Sequence, residues 1–343
     1  MAEHGIAIRD GRFYLNGEPT YRGRRYRDQQ IEGLLLNSRM VQGIFDDLNP
    51  ATRSRFAYQD GPWDPERNTR EFLAAMPLWR QCGLLSFTIC LQGGSPEGYS
   101  QDQPWHNSAF AADGTLRPAY MDRLARILDA AVTLGMAPIV SFFYFGQDQR
   151  LDGDQAVRRA VDAATDWIVA HGYDNVIIEI ANECDVTKYD QPLIRPAGIP
   201  ELIVRCRERS RGKLLVGTSF GGGSVPTEAV AEVSDVLLIH GNGVGQPDGI
   251  RRQVRRTREL KAYRGQPVVY NEDDHFAFDQ PDNNFLAALG EGASWGYFDY
   301  RMRGEGYAEG FQSVPVDWGI HSARKRGFFT LLAQVTGNEV TLP

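Results

Sequence analysis

Two glutamates stand where a carboxyl group could react rather than merely stay hydrated. The run from Val176 to Ala181 is apolar apart from Glu179, has a strand's length, and then stops on Asn182-Glu183. A second run, Gln266-Pro267-Val268-Val269-Tyr270, stops in the same way on Asn271-Glu272. Two carboxyl groups facing one cleft can divide the labour of breaking an acetal. One protonates the departing oxygen, and the other meets the positive charge that develops on carbon. A gap of about 5–5.5 Å lets the second attack directly and retain configuration, whereas about 6.5–9.5 Å leaves room for water and gives inversion.

Whether the two can face each other depends on the elements that carry them. Residues 6–26 alternate apolar and polar around Asp10-Gly11 and Asn16-Gly17, the signature of a short hairpin. Strand-like segments follow at 31–37, 83–92, 137–145, 176–183, 213–219, 235–240, 266–272 and 293–299. Between and after them, helical spacing is read at 66–81, 118–135, 154–170, 200–211, 227–233, 249–263, 283–291 and 322–336. Pro118 suits a helical first turn and Gly135 its exit. Eight strands each followed by a helix predict an α/β fold, a (β/α)8 TIM barrel from about residue 27 to 343 behind the N-terminal β-hairpin. No linker-like stretch divides the chain, so 1–343 reads as a single catalytic domain. A doubly wound open sheet is the rival, but no Gly-rich phosphate turn follows the first strand.

In such a barrel every strand ends on one rim, where active sites are built. The rim then gathers Asn37 or Arg39, Gln92, Tyr144 or Gln147, Asn182 with Glu183, His240 with Asn242, Glu272, and Trp295 or Tyr297. Asp273 and Asp274 rival Glu272 as the reacting acid. Glu179 shares the pleat direction of Glu183 and reads as a buried, paired structural carboxylate, and Asp299 as a group closing strand eight. The loops at 38–64, 93–117 and 184–198 are long enough to shape a subsite, with Trp63, Trp105 and Tyr189 as candidate walls.

The Asn182-Glu183 and Glu272 strand ends resemble the clan A glycoside hydrolases, which are retaining (β/α)8 enzymes. The resemblance implies Glu183 as acid/base, Asn182 as donor to the sugar 2-hydroxyl and Glu272 as nucleophile. It also implies an aromatic floor on strand eight, with Trp295 first and Tyr297 sharing its parity. Many members carry His-x-Tyr on strand six. Here His240-Gly241-Asn242 keeps the histidine and lacks the aromatic, and the strand-three histidine often seen is replaced by Phe or Tyr.

Bulk properties narrow the partners. The 343 residues carry 42% hydrophobic side chains, enough for a large core, and a net charge of −7. That balance argues against nucleic acid and anionic membranes and leaves a small or neutral molecule, which the resemblance implies is a carbohydrate or glycoside. The basic run 251–256 reads as a solvated helix face. The four cysteines, Cys82, Cys90, Cys184 and Cys206, lack metal or redox spacing, and no leader-like segment opens the sequence, so a cytoplasmic protein with reduced thiols is expected. No cofactor and no metal are called for. Two alternatives stay open: a saccharide-binding barrel without catalysis, and a metalloenzyme in which Asp273, His275 and Asp299 would have to converge.

Overall fold

A computed structural model describes residues 5–100 and 102–342. Its eight barrel strands are β1 (Asn37–Arg39), β2 (Ser86–Cys90), β3 (Ile139–Phe143), β4 (Ile177–Ala181), β5 (Leu215–Gly217), β6 (Leu237–His240), β7 (Val268–Glu272) and β8 (Gly296–Tyr297). The helices are α1 (Pro65–Gln81), α2 (Pro118–Leu134), α3 (Gly153–Ala170), α4 (Ile199–Arg209), α5 (Glu228–Val233), α6 (Pro247–Arg258), α7 (Asn284–Gly290) and α8 (Ala323–Thr336). Six parallel strands pair in the order β5-β4-β3-β2-β1-β8, and β6 pairs with β7. Parallel bridges Val269 to Ser294 and Asp273 to Tyr297 join β7 to β8. The β5–β6 seam is held by Asp235, whose amide donates to Val216 at 2.8 Å and whose carboxylate accepts from the Val216 amide at 3.0 Å. The expected (β/α)8 barrel is what forms.

Local chemistry sets the helix ends. Asp64 accepts from the amides of Glu66 and Arg67 at the start of α1, and Ser322 accepts from that of Lys325 at the start of α8. Gly135 ends α2 at φ 61°, a conformation open to glycine at little cost. Among the described residues no helix is long and apolar enough to cross a membrane.

The N-terminal segment is more than one hairpin. Ile6–Arg9, Arg12–Leu15 and Glu18–Pro19 form a three-stranded meander, and Arg25–Tyr26 pairs with Gln29–Gln30. The meander caps the amino-terminal mouth of the barrel. Ile6 and Phe13 pack into a buried apolar cluster with Leu35, Leu85, Ile139, Ile177, Leu238 and Val269 from the strands and their approaches. This cap also explains why the first strand begins at Asn37 instead of 31. The amides of Ile31 and Gly33 are engaged by Arg24 and Thr20, and the carbonyl of Gly33 by Phe13, so that stretch pairs with the cap and not with the cylinder.

Above this plug the barrel interior turns polar. Asn37, Ser86, Thr88, Ser141, Glu179 and Asn271 are all buried. Asn271 donates to Glu179 at 2.9 Å, so Glu179 is the buried, hydrogen-bonded carboxylate expected of it. Asp299 accepts from Arg324 and from the amide of Gly310 at 3.0 and 3.1 Å, tying down the segment after β8. On α6, Arg251 pairs with Asp248 and Asp282, and Arg255 with Glu291, in keeping with a solvated ionic face.

Candidate active site

The carboxyl-end rim brings Glu183 and Glu272 together. One oxygen of each, with His240 Nδ1, forms a group whose atoms all lie within 4.8 Å of one another. His240 is the hinge between them, 3.0 Å from Glu183 Oε1 and 3.6 Å from Glu272 Oε2. Arg39 reaches across from β1, its Nε 2.7 Å from Glu272 Oε2 and an Nη donating to Asn182 Oδ1 at 2.7 Å. Asn242 donates to the other oxygen of Glu272 at 2.7 Å.

The inward aim of Glu272 has a specific cause. In a regular pleat Tyr270 and Glu272 would point the same way, and Tyr270 points outward, its hydroxyl donating to Ile250 on α6 at 3.1 Å. Ile239 pairs with Tyr270, but His240 pairs with Glu272, so Asn271 is the extra residue of a β-bulge. Both Asn271 and Glu272 consequently face the interior. Glu183 is placed by different means. It adopts φ 48°, a left-handed conformation costing a branched or bulky side chain about 1–3 kcal/mol, and its amide is held by Ser219 Oγ at 2.9 Å.

Burial and charge oppose each other here. Burial is the largest influence on Glu272 and raises its pKa, with Glu183 adding to it against Arg39, His240 and Asn242. Glu183 is also penalised by burial, but the hydrogen bond and charge of His240, helped by Arg39, leave it below the ordinary carboxylate range. His240 is raised: burial disfavours its charge, and the two glutamates outweigh that. Burial likewise opposes the charge on Arg39, yet Glu272 above all keeps it protonated. Several atoms of the cluster have no protein partner, namely His240 Nε2, Arg39 Nη1 and Asn242 Oδ1.

Arg39, Asn182, Glu183, His240, Asn242 and Glu272 thus form one connected network. Tyr144 borders it, its hydroxyl donating to Ser95 Oγ at 3.1 Å. Gln92 and Gln147 do not join it. Gln92 bonds Ser108 and the amide of Tyr144, while Gln147 bonds Asn107, Trp105 and Gly146, so both amides are consumed in fixing loops. The strand-eight aromatics are also elsewhere. Trp295 stacks on Phe285 at 4.9 Å and donates to Asp273 at 2.8 Å, and Tyr297 stacks on Phe328 at 4.6 Å. Both lie between barrel and helices, because the pleat turns Gly296 and not its neighbours toward the interior, against Asn37. Neither is the pocket floor.

Trp63, Trp105 and Tyr189 are buried too. Trp63 stacks on Tyr58, Trp105 packs edge-on against Phe56, and the Tyr189 hydroxyl bonds the carbonyls of Asn182 and Phe143, so they support the rim loops from beneath. The Asp273, His275 and Asp299 set does not converge. His275 sits 2.6 Å from Asp273, but Asp273 also accepts from Trp295 and Asn284, and Asp299 belongs to Arg324. Cys184, beside Glu183, is buried, and burial raises its thiol further from ionisation.

One contributor to the rim was invisible in the sequence. Tyr99, on the segment after β2, places its hydroxyl against Asn242 Nδ2 and donates to Asp274 Oδ2 at 2.9 Å. Its ring meets Phe298 and Tyr300 edge-on at 5.8 and 4.7 Å. Phe298 has the inward parity that Trp295 and Tyr297 lack. Alternation along strand eight could have found it; nothing local could have found Tyr99.

No family model matches the chain, and no curated protein sequence does. Solved structures do match in shape. A structure described as a glycoside hydrolase superimposes with a TM-score of 0.58 at 10% identity, over 92% of this chain and 70% of its own. A broad-specificity endoglucanase from Bacteroides salanitronis gives 0.56 at 13% identity, over 88% and 93%. The mannohexaose complex of the Thermomonospora fusca β-mannanase gives 0.54 at 12% identity, over 95% and 94%. At such identities the likeness is one of fold, and these barrels are the folds this chain is similar to.

Proposed function

We propose that the chain is a retaining glycoside hydrolase acting on a saccharide or glycoside, with Glu183 as acid/base and Glu272 as nucleophile. The observation that carries this reading is the convergence of the two carboxyl groups within 4.8 Å at one rim, each with its own set of donors. An oxygen of one carboxyl group so near an oxygen of the other favours direct attack over a water held between them. Arg39 and Asn242 direct N–H groups at Glu272, an arrangement that suits an ionised carboxylate attacking an anomeric carbon. Glu183 shares a proton with His240 across 3.0 Å, and shifting that proton onto Glu183 arms it as the acid.

In the first step Glu183 protonates the glycosidic oxygen as its bond to carbon breaks, and Glu272 forms an ester with that carbon. In the second, Glu183 takes a proton from water, the hydroxyl adds to the same carbon, and the ester bond returns its electrons to Glu272. Asn182, oriented by Arg39, is placed to donate to the neighbouring sugar hydroxyl. The similar barrels of an endoglucanase and a β-mannanase favour a saccharide as substrate.

The test is covalent labelling with 2-deoxy-2-fluoro glycosides bearing an activated leaving group, drawn from several sugars in both anomeric forms. A mass increase of one glycosyl unit on the peptide containing Glu272 is expected, together with turnover of the matching aryl glycoside. Label on another residue, or inverted product, would overturn the assignment. Tight saccharide binding with no turnover across the panel would instead favour a binding barrel.

A further inference from the structure

Resting on the hydrolase reading above, the rim carries a second piece of design beside the acid pair. Glu272 is only 5% exposed, yet a sugar carbon must reach its carboxylate. The group standing over that end is Tyr99. Its side of the rim shares one donor with the nucleophile, since Asn242 Nδ2 serves both Glu272 Oε1 and the Tyr99 hydroxyl. Tyr99 as a whole is 57% exposed, so the hydroxyl is turned down into the rim while much of the ring remains in water.

The segment that carries it is fixed at the base and lightly held at the tip. Gln312 donates to the carbonyls of Gly94 and Ser95 at 3.0 and 3.3 Å, and the Val314 amide donates to Pro96 at 2.7 Å. Beyond Pro96, Glu97 pairs with Arg55 at 3.7 Å and the Gly98 amide donates to Ser95 at 3.0 Å, while Tyr99 itself is held by the phenol's two hydrogen bonds and the edge contacts with Phe298 and Tyr300. Beside the phenol Asn242 Oδ1 has no protein hydrogen-bond partner and Asp274 Oδ1 has only the ionic contact with His275 at 3.4 Å, with Arg39 Nη1 and His240 Nε2 unpartnered deeper in the cluster. Acceptors and donors interleaved in this way are what a polyol can satisfy and a phenol with one hydroxyl cannot.

We propose that Tyr99 is a gate whose hydroxyl stands in for a sugar hydroxyl, and that Asn242 and Asp274 are the hydroxyl-binding pair it guards. As substrate arrives the phenol leaves, and a sugar hydroxyl donates to the Asp274 carboxylate and accepts from Asn242.

The experiment compares wild type, Tyr99→Phe and Asp274→Asn in steady-state hydrolysis of p-nitrophenyl glucosides, mannosides, galactosides and xylosides, α and β. Tyr99→Phe keeps the ring and removes the two bonds that hold the gate shut, so KM should fall about 3- to 10-fold while kcat holds. Asp274→Asn removes the charged acceptor, and KM should rise about 10-fold. A purely structural strap predicts the opposite for Tyr99→Phe, a raised KM with a lowered melting temperature, and that result would overturn the proposal. Unchanged KM in both variants, with turnover intact, would overturn it as well and leave the hydrolase reading standing. Absence of turnover in all three proteins would overturn the hydrolase reading itself and the gated sugar site with it.

Discussion

The two mouths of the barrel solve opposite problems with the same eight strands. At the amino-terminal mouth, Ile6 and Phe13 fill the opening with apolar surface, and burying a side chain such as Phe13 contributes about 1.5–3 kcal/mol. At the carboxyl-end mouth, Arg39, Glu183, His240 and Glu272 are all largely withdrawn from water, and each is tolerated only because the others are present. Between them the layer of Asn37, Ser86, Thr88, Ser141, Glu179 and Asn271 marks the change of character. The lesson is one of division: cohesion concentrated at one end lets the other hold charges and unpartnered atoms that would otherwise unfold it.

Substitutions at the two ends should therefore separate activity from stability. The largest effect is expected for Glu272→Gln, with a loss of about 10⁴-fold or more in the kcat/KM of the folded protein, beside a lowered unfolding midpoint because Arg39 is left buried without its counter-charge. Full activity in that variant would erase the distinction. Phe13→Ala should act on stability alone, costing about 3–5 kcal/mol in urea unfolding while the kcat of the surviving folded protein is kept. A drop in kcat out of proportion to folded fraction would show that the plug also shapes the rim. Trp295→Phe leaves Asp273 short of one donor and should cost about 1–3 kcal/mol of stability with KM unaltered, as befits a residue outside the pocket. A KM change of tenfold would return Trp295 to the pocket.

The smallest expected effect is a pH dependence centred on His240. Glu183 is held below its ordinary value of 4.5, so its contribution is present above that value and is lost as pH falls through the lowered one. His240 is raised above 6.5, so its contribution is full below that value and is lost as pH rises through the raised one. The pair therefore stabilises most between 4.5 and 6.5. The stability deficit of His240→Gln should peak in that window and shrink on either side. A deficit that is flat with pH would mean the imidazole serves only as packing.

The helices and the strand order were readable because their signals are local. Pro118 and Gly135 bracket α2, Asp10-Gly11 and Asn16-Gly17 turn the meander at positive φ, and the apolar runs mark eight strands. What escaped reading depends on register or on distant pairing. Apolar content suggests a first strand at 31–37, yet the backbone groups of 31–33 are claimed by the cap. Trp295 and Tyr297 were placed by residue type at a rim that pleat direction denies them. Gln92 and Gln147 sit in the right part of the chain but are fully spent on loops. Tyr99 meets Asn242 across 143 residues, a pairing no local pattern encodes.

The extra residue in β7 bears on how this chain is to be compared with others. Matching strand seven by counting positions back from a strand-end glutamate assumes one residue per rung, and here two residues share the rung opposite His240. A protein with an unbroken seventh strand would present its inward carboxylate one position nearer to Val268, so an ungapped alignment from the start of the strand pairs that acid with Asn271 instead of Glu272. Removing Asn271 would restore the regular rhythm with the acid still inward, directly after the outward-facing Tyr270, but would take away the amide that donates to Glu179, which makes the length of this strand, as much as its composition, part of the site.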